Sequence, residues 1–273
     1  MGENRLSQVN RIPLLINLIP DGLKPGTILL VEYDPESQWF SLACTVAVRC
    51  LMENRHVAFL AFTTTPSEVA RTMTALGIDV PSVEKSGLLA IEDWYSASLS
   101  GGTLGPGTTQ KDMFERVDGR IRVHSLRVAD ISVAWLKTSK AGPHPAHDII
   151  DFWPGGSLAV VDSCSPLLRF SDEKSLVELF ESRIRPEERR RANLVTLQGI
   201  MRGVHSDWLY KRLEGGYDGV LDLRVFETEG EVKNFLRVRA FRGQPHDTKW
   251  HLVEITKNGE AKLESRDTVL DST

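Results

Sequence analysis

Residues 27–52 read TILLVEYDPESQWFSLACTVAVRCLM. The opening TILLVE is apolar and β-branched up to its glutamate, the composition of a strand, and the turn Lys24-Pro25-Gly26 launches it. From Phe40 to Met52 only Arg49 is charged, and Phe40, Ala43, Cys44, Ala47, Cys50 and Leu51 recur at helical spacing. A helix so apolar on most sides belongs inside, packed on a sheet. Between the two elements, Asp34-Pro35-Glu36 has the chemistry of a helix start: Asp34 as N-cap, proline at the first position, acid in the first turn.

Outward from that unit the same alternation continues. HVAFLAFT (56–63) reads as a second strand, and Thr65-Pro66-Ser67-Glu68 as a capping box, Thr65 capping and Glu68 reaching back, with the helix running to Leu76 and stopping at Gly77. LLAIEDWY (88–95) is a third strand. The uncharged, glycine-rich SASLSGGTLGPGTTQ (96–110) has the composition of a surface loop. A helix is expected near 130–140, a strand at SLAVVD (157–162), and an amphipathic helix over 172–183 capped by Ser171. NLVTL (193–197) is the next strand, followed by a short helix at 205–213. Strands at 219–227, 231–242 and 249–255 close the chain, with Glu229-Gly230 turning between the first two. Strands alternating with helices imply an α/β fold, a mainly parallel sheet flanked by helices, ending in an antiparallel C-terminal hairpin.

The 273 residues sit near the upper size of one hydrophobic core. Charges of 33 Lys+Arg against 37 Asp+Glu leave −4, which supplies no global field for nucleic acid or an anionic membrane. The apolar run 12–19 is broken by Pro13 and Asn17 and lacks a cleavage site, and no run approaches the ~20 apolar residues of a bilayer span, so a cytoplasmic protein is expected. Cys44, Cys50 and Cys164 form neither a CxxC nor a zinc pattern and read as buried thiols.

A strand, about eight residues and a buried helix is the spacing of a P-loop. Together with IPLLINLIPDGLKPGT (12–27), LLVE, SLACTVAV, AFLAFT, PSEVARTMTALGIDV, LAVVDS and DGVLDLRVFETEGEVKNFLRVRAFRGQPHD, in that order and spacing, the chain resembles the KaiC-like branch of the RecA-type ATPases. The resemblance covers about 12–263, leaving a head at 1–11 and a charged tail at 264–273. It implies a RecA-like P-loop NTPase fold. A Walker A motif needs glycine amides around the phosphates, a lysine for their charge and a hydroxyl for magnesium. Ungapped alignment puts Tyr33 and Gln38 at the glycines, Trp39 at the lysine and Phe40 at the hydroxyl. None of the four can do that work. Glu32, Asp34 and Glu36 add carboxylates where a helix N-terminus would attract an anion.

The remaining working parts are thinned as well. The resemblance places Thr63, Thr64 and Thr65 where relatives carry tandem glutamates, and Ala240-Phe241-Arg242-Gly243 where they carry a lysine and an arginine facing a neighbouring subunit. Asp162, at the Walker B aspartate, survives without a phosphate–magnesium partner and is expected to hydrogen-bond Ser163 or a nearby backbone amide. Elsewhere, RIRPEERRR (183–191) is the one dense basic cluster and reads as a solvated helix end. His144 and His147, beside Asp148, sit among Pro143 and Pro145, which disfavour a regular helix through both, and no further ligand is near in sequence. Ser163, Cys164 and Ser165 sit after a strand without a glycine-flanked elbow or an identifiable histidine, and read as turn residues. The expectation is a pseudo-ATPase with no catalytic residue, metal or cofactor of its own. It works as a regulatory or scaffold component through a protein partner or further copies of itself, with Arg242-Gly243 and the 96–110 loop as contact points. Nucleic acid and membrane are not expected partners. In the alternatives, ATP or another nucleotide still binds and controls oligomerisation, or the chain is a DNA-interacting recombinase-like accessory protein.

Overall fold

The computed structural model describes residues 9–100, 114–117, 120–123, 156–169, 171–181, 194–228 and 230–264. Its first half runs β1 (Ile28–Tyr33), α1 (Trp39–Met52), β2 (Val57–Ala61), α2 (Pro66–Ala75), α3 (Val80–Lys85), β3 (Leu89–Asp93), α4 (Tyr95–Ser100), β4 (Phe114–Val117) and β5 (Arg120–Val123). The second half runs β6 (Ser157–Val161), α5 (Glu173–Leu179), β7 (Leu194–Met201), α6 (Asp207–Glu214), β8 (Gly219–Thr228), β9 (Glu231–Phe241), β10 (His251–Ile255) and β11 (Ala261–Glu264).

All these strands join one sheet in the order β11-β10-β9-β8-β1-β7-β6-β2-β3-β5-β4. From β8 to β5 every neighbouring pair is parallel. The β8–β9–β10–β11 meander and the β4–β5 pair are antiparallel. β1 is central and wholly buried, between β7 and β8, and β7 separates it from β6. Helices cover both faces, as parallel strands require. On one side α1 and α2 bury Leu42, Val46 and Met73 against Phe59, Leu197 and Leu221. The segment 12–19 joins this core through Ile12, Leu15, Leu18 and Ile19, which accounts for its apolarity. On the other side Leu176 of α5 and Leu209 and Leu213 of α6 pack on Leu30 and Ile200.

Several local expectations change. α1 begins at Trp39 after Gln38, whose side chain makes no cap, so Asp34-Pro35-Glu36 is a turn and not a helix start. Asp34 Oδ2 instead accepts the Val225 amide at 3.0 Å, a partner 191 residues away. Thr65 caps α2 through the Glu68 amide, but the Glu68 carboxylate turns forward to Arg71. Asp172, not Ser171, caps α5, because its carboxylate reaches the Ser175 amide at 2.8 Å. Residues 95–100, where the 96–110 loop was expected to begin, are helical, with Ser96 held by Asp93. β7 extends to Met201, and β11 lies beyond the strands read from sequence. The remainder of that loop and the predictions at 130–140, 144–148 and 183–191 lie outside the described residues.

Candidate functional site

In an open α/β sheet a ligand crevice lies at the carboxyl ends of the strands. There, between β1 and α1, Tyr33 and Trp39 stack with ring centroids 5.6 Å apart and planes 15° from parallel. Trp39 is 3% exposed, and its indole N–H is donated to the Asp162 carbonyl oxygen at the end of β6. The indole lies over β7 at Gly199, where a Cβ would come within 2.5 Å of the Asp162 carbonyl and 2.6 Å of Trp39 Nε1. Only a residue without a side chain admits this packing. Phe40 turns its ring edge-on to Phe59 in the core, and Gln38 stays exposed, its amide bound to Asn234 Oδ1 at 2.9 Å.

Asp162 is fully buried. Its Oδ1 accepts the Phe62 amide at 2.8 Å, and its Oδ2 accepts the Thr63 amide at 3.0 Å and the Thr63 hydroxyl at 2.7 Å. Burial pushes this carboxyl up to about 6, and the donors of Thr63 and Phe62 only partly offset it. The carboxylate thus ties the end of β6 to the end of β2. Thr65 is committed to capping α2, and Thr64 is half-buried between them.

The acidic residues at the end of β1 and just beyond it stand in a different setting from the one their sequence implied. Glu32 is buried and held by Arg239 at 2.7 Å and Arg224 at 3.5 Å, with Arg202 at 4.0 Å. Arg202 and Arg224 also lie 4.0 Å from Asp34. Asp222 binds Arg224 at 2.5 Å and Arg237 at 2.9 Å, and Glu214 binds Arg239 at 3.0 Å. Four carboxylates and four guanidiniums form one network, so Glu32 and Asp34 do not present the uncompensated negative field expected of them. Burial raises the Glu32 carboxyl and Arg239 opposes it, while burial of Arg239 is outweighed by Asp222, Glu32 and Glu214, which keep it firmly protonated.

These arginines were missed in the sequence, although a signal exists. Asp222 and Arg224 alternate with Leu221 and Leu223, and Arg237 and Arg239 with Leu236 and Val238. The two polar sets lie on one face once β8 pairs with β9, Asp222 opposite Arg237. This face opens onto a cleft of about 580 Å³ bordered by Glu32, Asp34, Arg202, His205, Tyr210 and Glu214. Arg242 and Gly243 lie away from it: Arg242 donates to the Gly215 carbonyl at 2.6 Å, at the C-terminus of α6, and Gly243 turns the chain at φ 78°. All three cysteines are buried free thiols, raised by burial, Cys50 and Cys164 to about 12. Among the described residues no group of three or more His, Cys, Asp or Glu side chains could hold a metal ion, and no helix is long and apolar enough to cross a membrane.

A central parallel sheet in which β7 separates β1 from β6, carrying an antiparallel meander beside β8, is a RecA-like P-loop NTPase fold. The chain is similar to the crystal structure of a KaiC-like protein from the hyperthermophilic archaeon Pyrococcus horikoshii, with a TM-score of 0.60, 16% identity, and coverage of 95% of this chain and 99% of that one. At that identity the likeness establishes the fold alone. No protein-family model matches the sequence, and no curated protein matches it significantly.

Proposed function

We propose that this is a KaiC-like protein that has given up ATP hydrolysis and works in the cytoplasm as a regulatory or scaffold component, through contacts with a protein partner or further copies of itself. The observation that carries the reading is the buried Trp39 indole, stacked on Tyr33 and bonded to Asp162, in the connection where a P-loop would wrap phosphates. An indole brings neither the positive charge nor the open space that phosphate oxygens require. Phe40 next to it offers no oxygen to magnesium, a hard cation. The Asp162 carboxylate is spent on Phe62 and Thr63, and no carboxylate stands at Thr63, Thr64 or Thr65 to polarise a water. The residues at this connection do not fit Mg–ATP.

The test is a calorimetric titration with Mg–ATP beside a native mass measurement. The expected outcome is no saturable heat and a mass that nucleotide leaves unchanged. Magnesium-dependent ATP turnover that Asp162→Ala abolishes would sink the proposal. One observation favours a second reading, nucleotide held by base and ribose contacts: the cleft of about 580 Å³ beside β1 and β7 is large enough for part of such a ligand. That reading requires a rise in melting temperature with nucleotide, since a ligand at a hundred times its Kd stabilises by about 2.7 kcal/mol. A flat response across nucleotides removes it.

A further inference from the structure

Ser165 opens the 3-10 turn Ser165–Arg169 after β6, and His205 lies in the connection between β7 and α6. Both connections leave the carboxyl ends of neighbouring parallel strands, so the fold brings together two residues forty positions apart. His205 Nε2 stands 3.0 Å from Ser165 Oγ. This is the histidine partner that sequence reading did not find for the 163–165 stretch. Ser163 is otherwise engaged: it is buried, and its Oγ accepts the Ser165 amide at 3.1 Å.

The hydrogen bonds leave the serine proton available to the histidine. Ser165 Oγ accepts the Met201 amide at 2.9 Å, which uses one lone pair and leaves the hydroxyl hydrogen to be donated. His205 Nε2 is placed to accept it when the neutral imidazole carries its own hydrogen on Nδ1. Burial holds His205 below the ordinary imidazole value, opposed in part by Glu173 of α5, and the Tyr210 ring of α6 lies 5.9 Å away. Glu173 also accepts the Ser206 amide at 2.8 Å and the Ser206 hydroxyl, which anchors the turn carrying His205. His205 borders the cleft, and Ser165 is half-buried behind it. In that tautomer the hydroxyl donates to a neutral imidazole on an anchored turn, the relation of a nucleophile to its base.

We infer that Ser165 is an acyl-accepting nucleophile with His205 as its general base, reactive toward small activated acyl esters that enter by the cleft His205 borders. Ser165 Oγ bonds to the ester carbonyl carbon while its proton passes to His205 Nε2. The carbon–oxygen bond to the leaving alkoxide then breaks, and His205 returns the proton to that oxygen. The products are acyl-Ser165, the free alcohol and a neutral imidazole, so the step needs no other reactant. It uses none of the residues on which the proposed loss of ATP hydrolysis rests, and stands or falls separately.

The experiment incubates the full chain with p-nitrophenyl acetate and follows nitrophenol release and the site of acetylation by peptide mass spectrometry. One equivalent of acetyl is expected on Ser165. Its rate should rise with pH and level off below the ordinary imidazole value of 6.5. Ser165→Ala abolishes that adduct and Ser163→Ala leaves it, while His205→Gln slows it about 100-fold or more, the usual worth of a general base. Near-UV circular dichroism checks that each variant is folded. If Ser165→Ala does not fold, the wild-type adduct map and pH profile still decide. Acetyl groups confined to lysines or tyrosines, or a rate that climbs without levelling, overturn the inference.

Discussion

Trp39 can pack against β7 only because residue 199 has no side chain. Adding one methyl group there would place carbon 2.5 Å from the Asp162 carbonyl and 2.6 Å from the indole nitrogen. Gly199→Ala therefore overpacks the crevice and should destabilise the protein by about 1–3 kcal/mol. A urea unfolding curve read by tryptophan fluorescence checks this, and an unchanged midpoint means that the indole is seated elsewhere. Asp162 makes a separate prediction. Its carboxyl titrates near 3.8 when unfolded and about 6 when folded, so the folded chain holds the extra proton between these values. Its contribution to stability is full below the lower value and is lost as pH rises through the upper one. Asp162→Asn removes the titration, so the wild-type-minus-variant difference in unfolding free energy should fall between about pH 4 and about pH 7. A flat difference would mean that the three donors keep Asp162 ionised throughout. Neither the Gly199 contact nor the Thr63 tie could be read along the chain, because each joins residues on different strands.

At the scale of elements, what was legible was what the chain settles within a few residues. Thr65, Pro66 and Gly77 delimit α2 by the hydroxyl cap, the fixed proline φ and the left-handed glycine at φ 97°. Thr65→Ala should accordingly cost about 1 kcal/mol of unfolding free energy, read from a denaturant titration. The reciprocal half of the box is absent, since Glu68 pairs with the largely exposed Arg71, so Glu68→Gln should cost no more than about 0.5 kcal/mol. Equal losses in the two variants would restore the capping box. The start of α1 was misread for the opposite reason. Asp34 has the chemistry of a cap, but the Val225 amide on β8 takes its carboxylate, and local propensity yields to a tertiary partner.

For the whole molecule, the ionic network joins the meander to the parallel sheet. Arg224 is 8% exposed in its side chain and lies among Glu32, Asp34 and Asp222. Removing Arg224 leaves the buried Glu32 and Asp222 with Arg239 and Arg237 alone, so Arg224→Leu should cost about 3 kcal/mol, the lower end for a broken buried pair and still larger than any exposed pair supplies. Denaturant unfolding at low and high salt measures it, and the loss should persist in high salt because buried pairs are poorly screened. A loss below about 1 kcal/mol would place the network in solvent. The network also bears on the crevice. Sequence shows three acids beside a helix start, whereas the assembled sheet delivers arginines from β8, β9 and the loop after β7 to two of them.

The sequence by itself determined the alternation of strands and helices along most of the chain, the mainly parallel sheet with its antiparallel C-terminal hairpin, and the cap and stop of α2. Those are properties of periodicity, of local capping and of what each side chain is chemically able to do, and they need no partner. The tertiary structure alone decided that Trp39 fills the crevice over Gly199, that Asp162 ties β6 to β2, that Glu32 and Asp34 face arginines, and that Ser165 meets His205. Each of these joins residues close in the sheet and distant in the chain, because parallel pairing sets carboxyl ends side by side only after the helical crossovers have closed, and the antiparallel β9 then adds its arginines beside β8.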